Sequence, residues 1–483
     1  MEVKQLKQKD VIVIGGGISG LTAVYQLYKQ APHLKLVLIE AEPRLGGKIY
    51  TEQRDGFVIE HGPDSVLARK PRGVGLCEDL GIASDLIGRN PNHQKTFVLR
   101  HGRLHRLPEG LTGMIPTNLE ALANSTLLSE NGRLQIAQEP NLPPASNDVG
   151  DESLASFVSR RFGQEAFENL IEPLMGGIYA GQATQLSLAA TFPQLRQLEI
   201  KHGSLINGLT NRPPATDQLY PPFVSLSGGM GQLVEALVAE LDEVDMLLGC
   251  KVTAVEKTDD GYRLDIENNN RSSNPKLSIT QYQTQAIILA TPAFISGKLI
   301  EKTDPTLANA LLGIPYSSTA LVNLIYDESD LPNQLDGYGY VIPNAEQKEA
   351  LACTWSSLKW NGRAPNGKLL LRVYIGRFGT DVTQYCDEKL LAIAYQELSD
   401  TLNITQKPLE QTVKRWPKGM PQFNMGHLDR VQTIRSQMAL HPNMALAGNY
   451  FDGVGIPDAI FAGEQAAEKI QQAISLEREL AFG

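Results

Sequence analysis

Three glycines carry the clearest chemical signal in the chain: Gly15, Gly17 and Gly20 are spaced as Gly-x-Gly-x-x-Gly, and Glu40 stands 20 positions beyond the last of them. A dinucleotide needs this combination. The first glycine permits a tight turn, the second lets a pyrophosphate approach the backbone, and the third lets a helix pack closely on a strand. The helix start then faces the phosphates, and an acidic side chain at the end of the next strand accepts hydrogen bonds from ribose hydroxyls. The flanking residues agree. Val11–Ile14 is an apolar run of buried-strand type, Ile18–Gln30 reads as a helix, and Leu36–Ile39 reads as a second buried strand ending at Glu40.

That βαβ unit suits NAD and FAD equally, and two further segments decide between them. Ala41-Glu42-Pro43-Arg44-Leu45-Gly46-Gly47-Lys48 offers adjacent glycines for close backbone approach and Arg44 as a fixed cation beside a diphosphate. Near the C-terminus, Ala447-Gly448-Asn449-Tyr450-Phe451-Asp452-Gly453-Val454-Gly455-Ile456-Pro457-Asp458 leads from a strand through a glycine loop into a helix expected to reach about Ile474. Pro457 suits a first helical turn, and that helix start would stabilise negative charge on a reduced flavin ring. Both segments in one chain point to FAD.

These residues must be positioned by elements far apart in sequence. Ala286–Ala290, stopping at Thr291-Pro292, and Met444–Ala447, stopping at Gly448, are two more core strands, so other domains interrupt the cofactor domain. From Thr112 to Leu209 the spacing is helical, with Leu119–Leu128 and Leu154–Ile178 as helical stretches and a loop at Pro140–Asp151 between them. From Pro315 to Gly376 the pattern is β, with strands at Ala320–Tyr326 and Leu369–Ile375. Asn268–Pro275 reads as a loop tip after a strand at Tyr262–Ile266, and no internal repeat is present.

The expected fold is α/β: a discontinuous Rossmann-like FAD-binding domain with an inserted α+β substrate domain and an inserted helical domain. Its expected segments are 1–95, 211–300 and 415–483 for the cofactor domain, 96–210 for the helical domain and 301–414 for the substrate domain. A chain of 483 residues is long enough for two or three domains. Its net charge of −10 argues against a nucleic-acid partner. Cys77, Cys250, Cys353 and Cys386 form no C-x-x-C pair, and the 8 histidines show no metal-ligand spacing, so no metal is expected. No apolar run is long enough for a membrane span or a signal peptide, which makes the cytoplasm the expected location.

The glycine fingerprint, the Glu-x-x-x-Arg-Leu-Gly-Gly-Lys stretch and Gly453-Val454-Gly455-Ile456-Pro457-Asp458 resemble the amine-oxidase and protoporphyrinogen-oxidase group of flavoproteins. Within that group Glu60–Ser65, Leu67–Lys70, Asn169–Leu174, Gly177–Gly181, Cys353-Thr354-Trp355 and Arg415-Trp416-x-x-x-Met420-Pro421-Gln422 resemble the oxygen-dependent porphyrinogen oxidases. The match runs end to end and is closest to the Gram-positive branch, the coproporphyrinogen III oxidases.

The resemblance implies a cofactor shell of Gly15, Gly17, Ile18, Ser19, Gly20, Glu40, Ala41, Arg44, Gly46, Gly47, Lys48, Gly62, Pro63, Asp64, Ser65, Val252, Thr291, Trp416, Gly448, Val454, Gly455 and Ile456. It implies substrate contacts at Arg69 and Lys70, cations for propionates, and at Ile178 and Tyr374, apolar walls. No side chain is assigned a catalytic role, because the flavin N5 takes the hydride. Six electrons leave in three flavin cycles, with oxygen as acceptor and hydrogen peroxide released.

The helical domain touches membranes in some relatives; here its apolar stripe reads as core. His61, beside the flavin loop, is the histidine to test. Arg100, Arg103, His105 and Arg106 form a second basic cluster on a hairpin-like stretch, and Thr96 stands where protoporphyrinogen-oxidising relatives can carry arginine. The alternatives are protoporphyrinogen IX as substrate, an amine or polyene oxidase with Tyr450-Phe451 on one side of an aromatic cage, and a flavin-free escort protein of the same fold.

Overall fold

A computed structural model describes residues 7–145, 150–211, 219–268 and 279–482. The predicted core runs form one sheet. Lys7–Ile14 lies between Leu36–Ile39 and Ile279–Leu289, parallel to both, with Val11 opposite Leu36 and Ala286. Asp245–Leu247, a strand too short to stand out in the sequence, extends the sheet beyond Leu36–Ile39, and Met444–Leu446 pairs in parallel with Ile279–Leu289. An antiparallel pair, Cys250–Thr258 and Gly261–Asn268, completes it.

Alternation along these strands fills both faces. Val11, Val13, Leu36 and Leu38 pack toward helices Ile18–Gln30 and Ile456–Phe482, while Ile12, Ile14, Val37 and Ile39 enter a second core on the opposite side. A strand buried on both sides must be apolar at every position, which is why these runs lack polar alternation. The loop tip expected at Asn268–Pro275 lies outside the described residues beyond Asn268.

A second sheet has the order Glu410–Pro421, Tyr316–Asp327, Lys368–Ile375, Ala350–Trp355, Gly339–Val341, Thr96–Arg100, Arg103–Arg106. It is antiparallel except where Gly339–Val341 meets Thr96–Arg100. The outermost strand carries Pro417 and Pro421, which an edge tolerates because one row of its N–H groups has no partner. Together the two sheets make a mixed α/β fold.

The helical region is more broken than its periodicity suggests. The helix expected over Leu119–Leu128 stops at Ala123, although Leu127 and Leu128 are still buried. The one expected over Leu154–Ile178 is interrupted at Gly163, whose φ of 87° no helix accommodates, and again by a π turn at Phe167–Ile171. Pro173 follows in the first turn of Glu172–Tyr179; lacking an N–H, it cannot continue the i to i−4 ladder, and the chain widens just before it. The C-terminal helix runs past Ile474 to Phe482. Among the described residues no helix is long and apolar enough to cross a membrane.

Candidate active site

Helix Ile18–Gln30 starts at Gly17, which offers no side chain to cap it. A Cβ on Gly15 would lie 2.7 Å from the Ala290 carbonyl oxygen, and one on Gly20 would lie 1.9 Å from that of Gly15, so backbone packing demands both glycines. At Gly17 the same test finds nothing within 4 Å. Open space therefore lies in front of a helix start whose amides have no side-chain partner, which suits a diphosphate. Glu40, expected at the ribose end, has a carboxylate that accepts from the Gly16 amide at 2.6 Å and the Glu42 amide at 2.8 Å. The Cys250 amide donates to the Glu40 carbonyl at 2.9 Å, which brings the buried Val252 to the same end.

Gly46 and Gly47 close this cradle from the side. The Gly46 amide donates to the Gly16 carbonyl at 2.8 Å, and a Cβ on Gly47 would stand 3.1 Å from Gly17 Cα. Arg44, expected as a cation for the diphosphate, braces its own loop. It donates to the carbonyls of Leu45 at 3.0 Å, Ile49 at 3.2 Å and Gly47, and lies over the Tyr50 ring. Lys48 has no acidic partner among the described residues, and burial pushes its ammonium down to about 8. The last helix packs against the first: Gly463 approaches so closely that a Cβ there would sit 2.3 Å from the Ser19 carbonyl oxygen. The last helix thus flanks the helix start at Ile18. Thr291 Oγ1 is hydrogen-bonded to Ser296 at 2.8 Å, and Asn449 holds the Val454 carbonyl at 3.2 Å, which shapes the loop after Gly448.

Loop Glu60–Ser65 crosses over this cradle, where a Cβ on Gly62 would strike the Lys48 carbonyl oxygen at 1.9 Å. Buried groups hold it from behind. Glu60 accepts from the Met230 amide at 2.6 Å and from Thr51 at 2.7 Å, and burial raises its pKa. His61 stacks on Tyr50, bonds Glu52 at 2.8 Å, and its carbonyl accepts from Trp416 Nε1 at 2.7 Å. Arg372, fully buried, donates to the Gly62 carbonyl at 2.5 Å and stands 3.3 Å from Asp64. Asp64 also binds Lys359 at 2.8 Å and Trp360 Nε1 at 3.2 Å; it accepts from Ser65 at 2.9 Å. Although burial opposes its charge, these cations hold the Asp64 carboxyl well below the usual range. Pro63 is exposed.

The substrate candidates split into two kinds. Tyr374 lies on strand Lys368–Ile375, 5.3 Å above the Arg372 guanidinium, and shares an apolar cluster with Ala180 and Ala352. Ile178, two residues before Ala180, is 46% exposed at the end of its helix. Arg69 is exposed with no side-chain partner among the described residues. Lys70 is paired: its Nζ donates to both carboxylate oxygens of Asp458, at 2.7 and 2.6 Å. Of the second basic cluster, Arg100 pairs with Glu346 and Arg106 with Glu109. Tyr450 is buried in the core beneath the first sheet.

The family model for flavin-containing amine oxidoreductases matches residues 18–471. The chain belongs to that family. Membership implies FAD, and the chain is an FAD-dependent oxidase. It is 36% identical to the coproporphyrinogen III oxidase of Bacillus subtilis, over 95% of this chain and 97% of that protein. It is 30% identical to the chloroplastic protoporphyrinogen oxidase of Nicotiana tabacum, over 96% of this chain and 86% of that protein. Among solved structures, a provisionally named protoporphyrinogen oxidase from Exiguobacterium sp. 255-15 is similar, with a TM-score of 0.84 and 33% identity over 97% of this chain and all of that one.

Sequence reasoning missed Arg372, Lys359 and Trp360. One signal was available, since Arg372 interrupts the run Leu369-Leu370-Leu371 and Val373, and a charge in a buried strand needs a partner.

Proposed function

We propose that this oxidase converts coproporphyrinogen III to coproporphyrin III in porphyrin biosynthesis, with molecular oxygen as acceptor. The observation that carries the reading is end-to-end similarity to a coproporphyrinogen III oxidase, 36% identical over 95% of the chain, on top of an intact dinucleotide cradle. In this reading the cofactor domain is the discontinuous one, residues 1–95, 211–300 and 415–483, and the helical and substrate domains interrupt it.

Bound FAD would supply the two-electron sink, and six electrons leave in three rounds, each returning one hydrogen peroxide. The chain's own residues bind and orient. Gly15, Gly17, Gly20 and the amides of Ile18 and Ser19 receive the diphosphate; Glu40, Ala41 and Val252 serve the ribose and adenine end. Gly46, Gly47, Lys48, Gly62–Ser65, Thr291, Trp416, Gly448 and Val454–Ile456 surround the ring. Lys48, partly buried and without an acidic partner among the described residues, supplies positive charge where reduction adds a negative one. Tyr374 and Ile178 form apolar walls, and Arg69 and Lys70 receive carboxylates at the rim.

The buried position of Tyr450 removes one wall from the aromatic cage that an amine oxidase reading needs. We assign the chain to the cytoplasm, without a nucleic-acid partner. In the test, purified protein is yellow and releases about three peroxides per coproporphyrin formed under air, the ratio that two-electron flavin chemistry requires. No oxygen uptake with either coproporphyrinogen III or protoporphyrinogen IX overturns the reading.

A further inference from the structure

The pair between Lys70 and Asp458 joins positions 388 residues apart, where the loop after the flavin segment meets the start of the C-terminal helix. A second pair joins the same two elements: Arg72 Nε, in helix Pro71–Asp79, donates to both oxygens of Glu464 at 2.7 and 2.8 Å. Pro457 also packs against Gly73, where a Cβ would meet its ring at 2.9 Å. The two elements are therefore held together without Lys70. The pairs differ in access to water, the Lys70 side chain being 41% exposed and Arg72 28%.

Asp458 has a second partner of its own. Its carboxylate accepts from the Gly455 amide at 3.0 Å at a helix start, so losing Lys70 does not strand it. The end of the helix Glu172–Tyr179 lies within range of its charge. Tyr179, the last residue of that helix, has its pKa raised chiefly by burial and then by the charge of Asp458, and Val454 packs into the same cluster as Tyr179. The Lys70–Asp458 pair thus lies next in sequence to Arg69, which is exposed and has no side-chain partner among the described residues.

We propose that Asp458 is a specificity-determining residue: its carboxylate is the resident occupant of Lys70, and a substrate carboxylate reaches Lys70 by displacing it. This rests on the porphyrinogen reading. Arg69 offers its charge to any anion, whereas Lys70 yields only to one that competes with Asp458 and tolerates it nearby. A repulsive group of this kind sets discrimination as much as an attractive one does.

The test is a porphyrin titration of the FAD-loaded enzyme, followed by porphyrin fluorescence, with coproporphyrin III and its uncharged tetramethyl ester in one detergent buffer. Asp458→Asn keeps an acceptor for the Gly455 amide and removes the charge; Asp458→Ser does the same with a smaller group. Both are expected to bind coproporphyrin III roughly two- to five-fold tighter, the span of an exposed ion pair's contribution, with ester binding unchanged. Lys70→Gln is expected to weaken coproporphyrin III alone. The proposal is overturned if both Asp458 variants keep flavin yet bind coproporphyrin III no better than wild type, or if the ester shifts equally. Flavin loss from both variants also overturns it, by making Asp458 part of the cofactor cradle. Wild-type enzyme that neither binds nor oxidises a porphyrin substrate sinks the substrate reading itself.

Discussion

Asp64 and Asp458 each face a lysine from a distant part of the chain, yet they do opposite work. Asp64 is buried among Lys359, Trp360 and the fully buried Arg372, and every bond it makes fixes the loop that crosses the cofactor cradle. Asp458 meets a lysine whose side chain is 41% exposed, and in the proposal above a substrate carboxylate takes its place. The same ion-pair chemistry is rigid when water is excluded and exchangeable when water is present. On the proposed reading, the cofactor side of the molecule holds one geometry and the Lys70–Asp458 pair trades partners.

Substitutions should rank the two regions in that order. The largest effect is expected at Gly62, where any side chain meets backbone 1.9 Å away. Gly62→Val is expected to purify without FAD, with activity down by roughly a hundredfold or more, about 3 kcal/mol; flavin absorbance and oxygen uptake read this. Next comes Arg372→Met, which leaves the Gly62 carbonyl without its side-chain donor and Asp64 with one cation fewer, at a cost of about 3 kcal/mol in a denaturant melt. It should also move acid unfolding to higher pH. The depressed Asp64 carboxyl stabilises the fold above the ordinary carboxylate range and loses that contribution as pH falls, and Arg372 is part of what depresses it.

A smaller effect belongs to Lys48. Its ammonium titrates at about 8 in the unliganded cradle, and an anionic cofactor raises that value. FAD affinity of the apoprotein should therefore be full below pH 8 and fall as pH rises above it, with proton uptake on binding. Calorimetry in two buffers of different ionisation enthalpy measures this, and Lys48→Met should abolish it. Smallest of all is Lys70→Gln, expected to change folding stability by less than about 1 kcal/mol, because the Lys70 side chain is 41% exposed and Asp458 keeps the Gly455 amide as a partner. A large loss there would erase the contrast between the two regions.

What the sequence disclosed follows the same division. The helix Ile18–Gln30 begins and ends where its pattern indicates, and the four core strands were readable because a parallel strand covered on both faces must be apolar throughout. Gly15 and Gly20 were readable because a Cβ at either would strike backbone, whereas Gly17 faces open space. Charge pairing was not. Lys359 lies 295 positions from Asp64, and its approach depends on how the second sheet stacks against loop Glu60–Ser65, which no local pattern encodes. Arg44 shows the same limit: the carbonyls of Leu45, Gly47 and Ile49 that it holds are set by how the turn folds, which its neighbours in sequence do not encode. Gly163 and Pro173 were visible helix breakers outweighed by the apolar spacing around them.

The central claim is tested most directly by initial rates of oxygen consumption on coproporphyrinogen III and protoporphyrinogen IX, measured side by side with the FAD-loaded enzyme. The account predicts turnover of both with coproporphyrinogen III clearly faster, since two further carboxylates find Arg69 and Lys70 at the rim. Faster oxidation of protoporphyrinogen IX would contradict it.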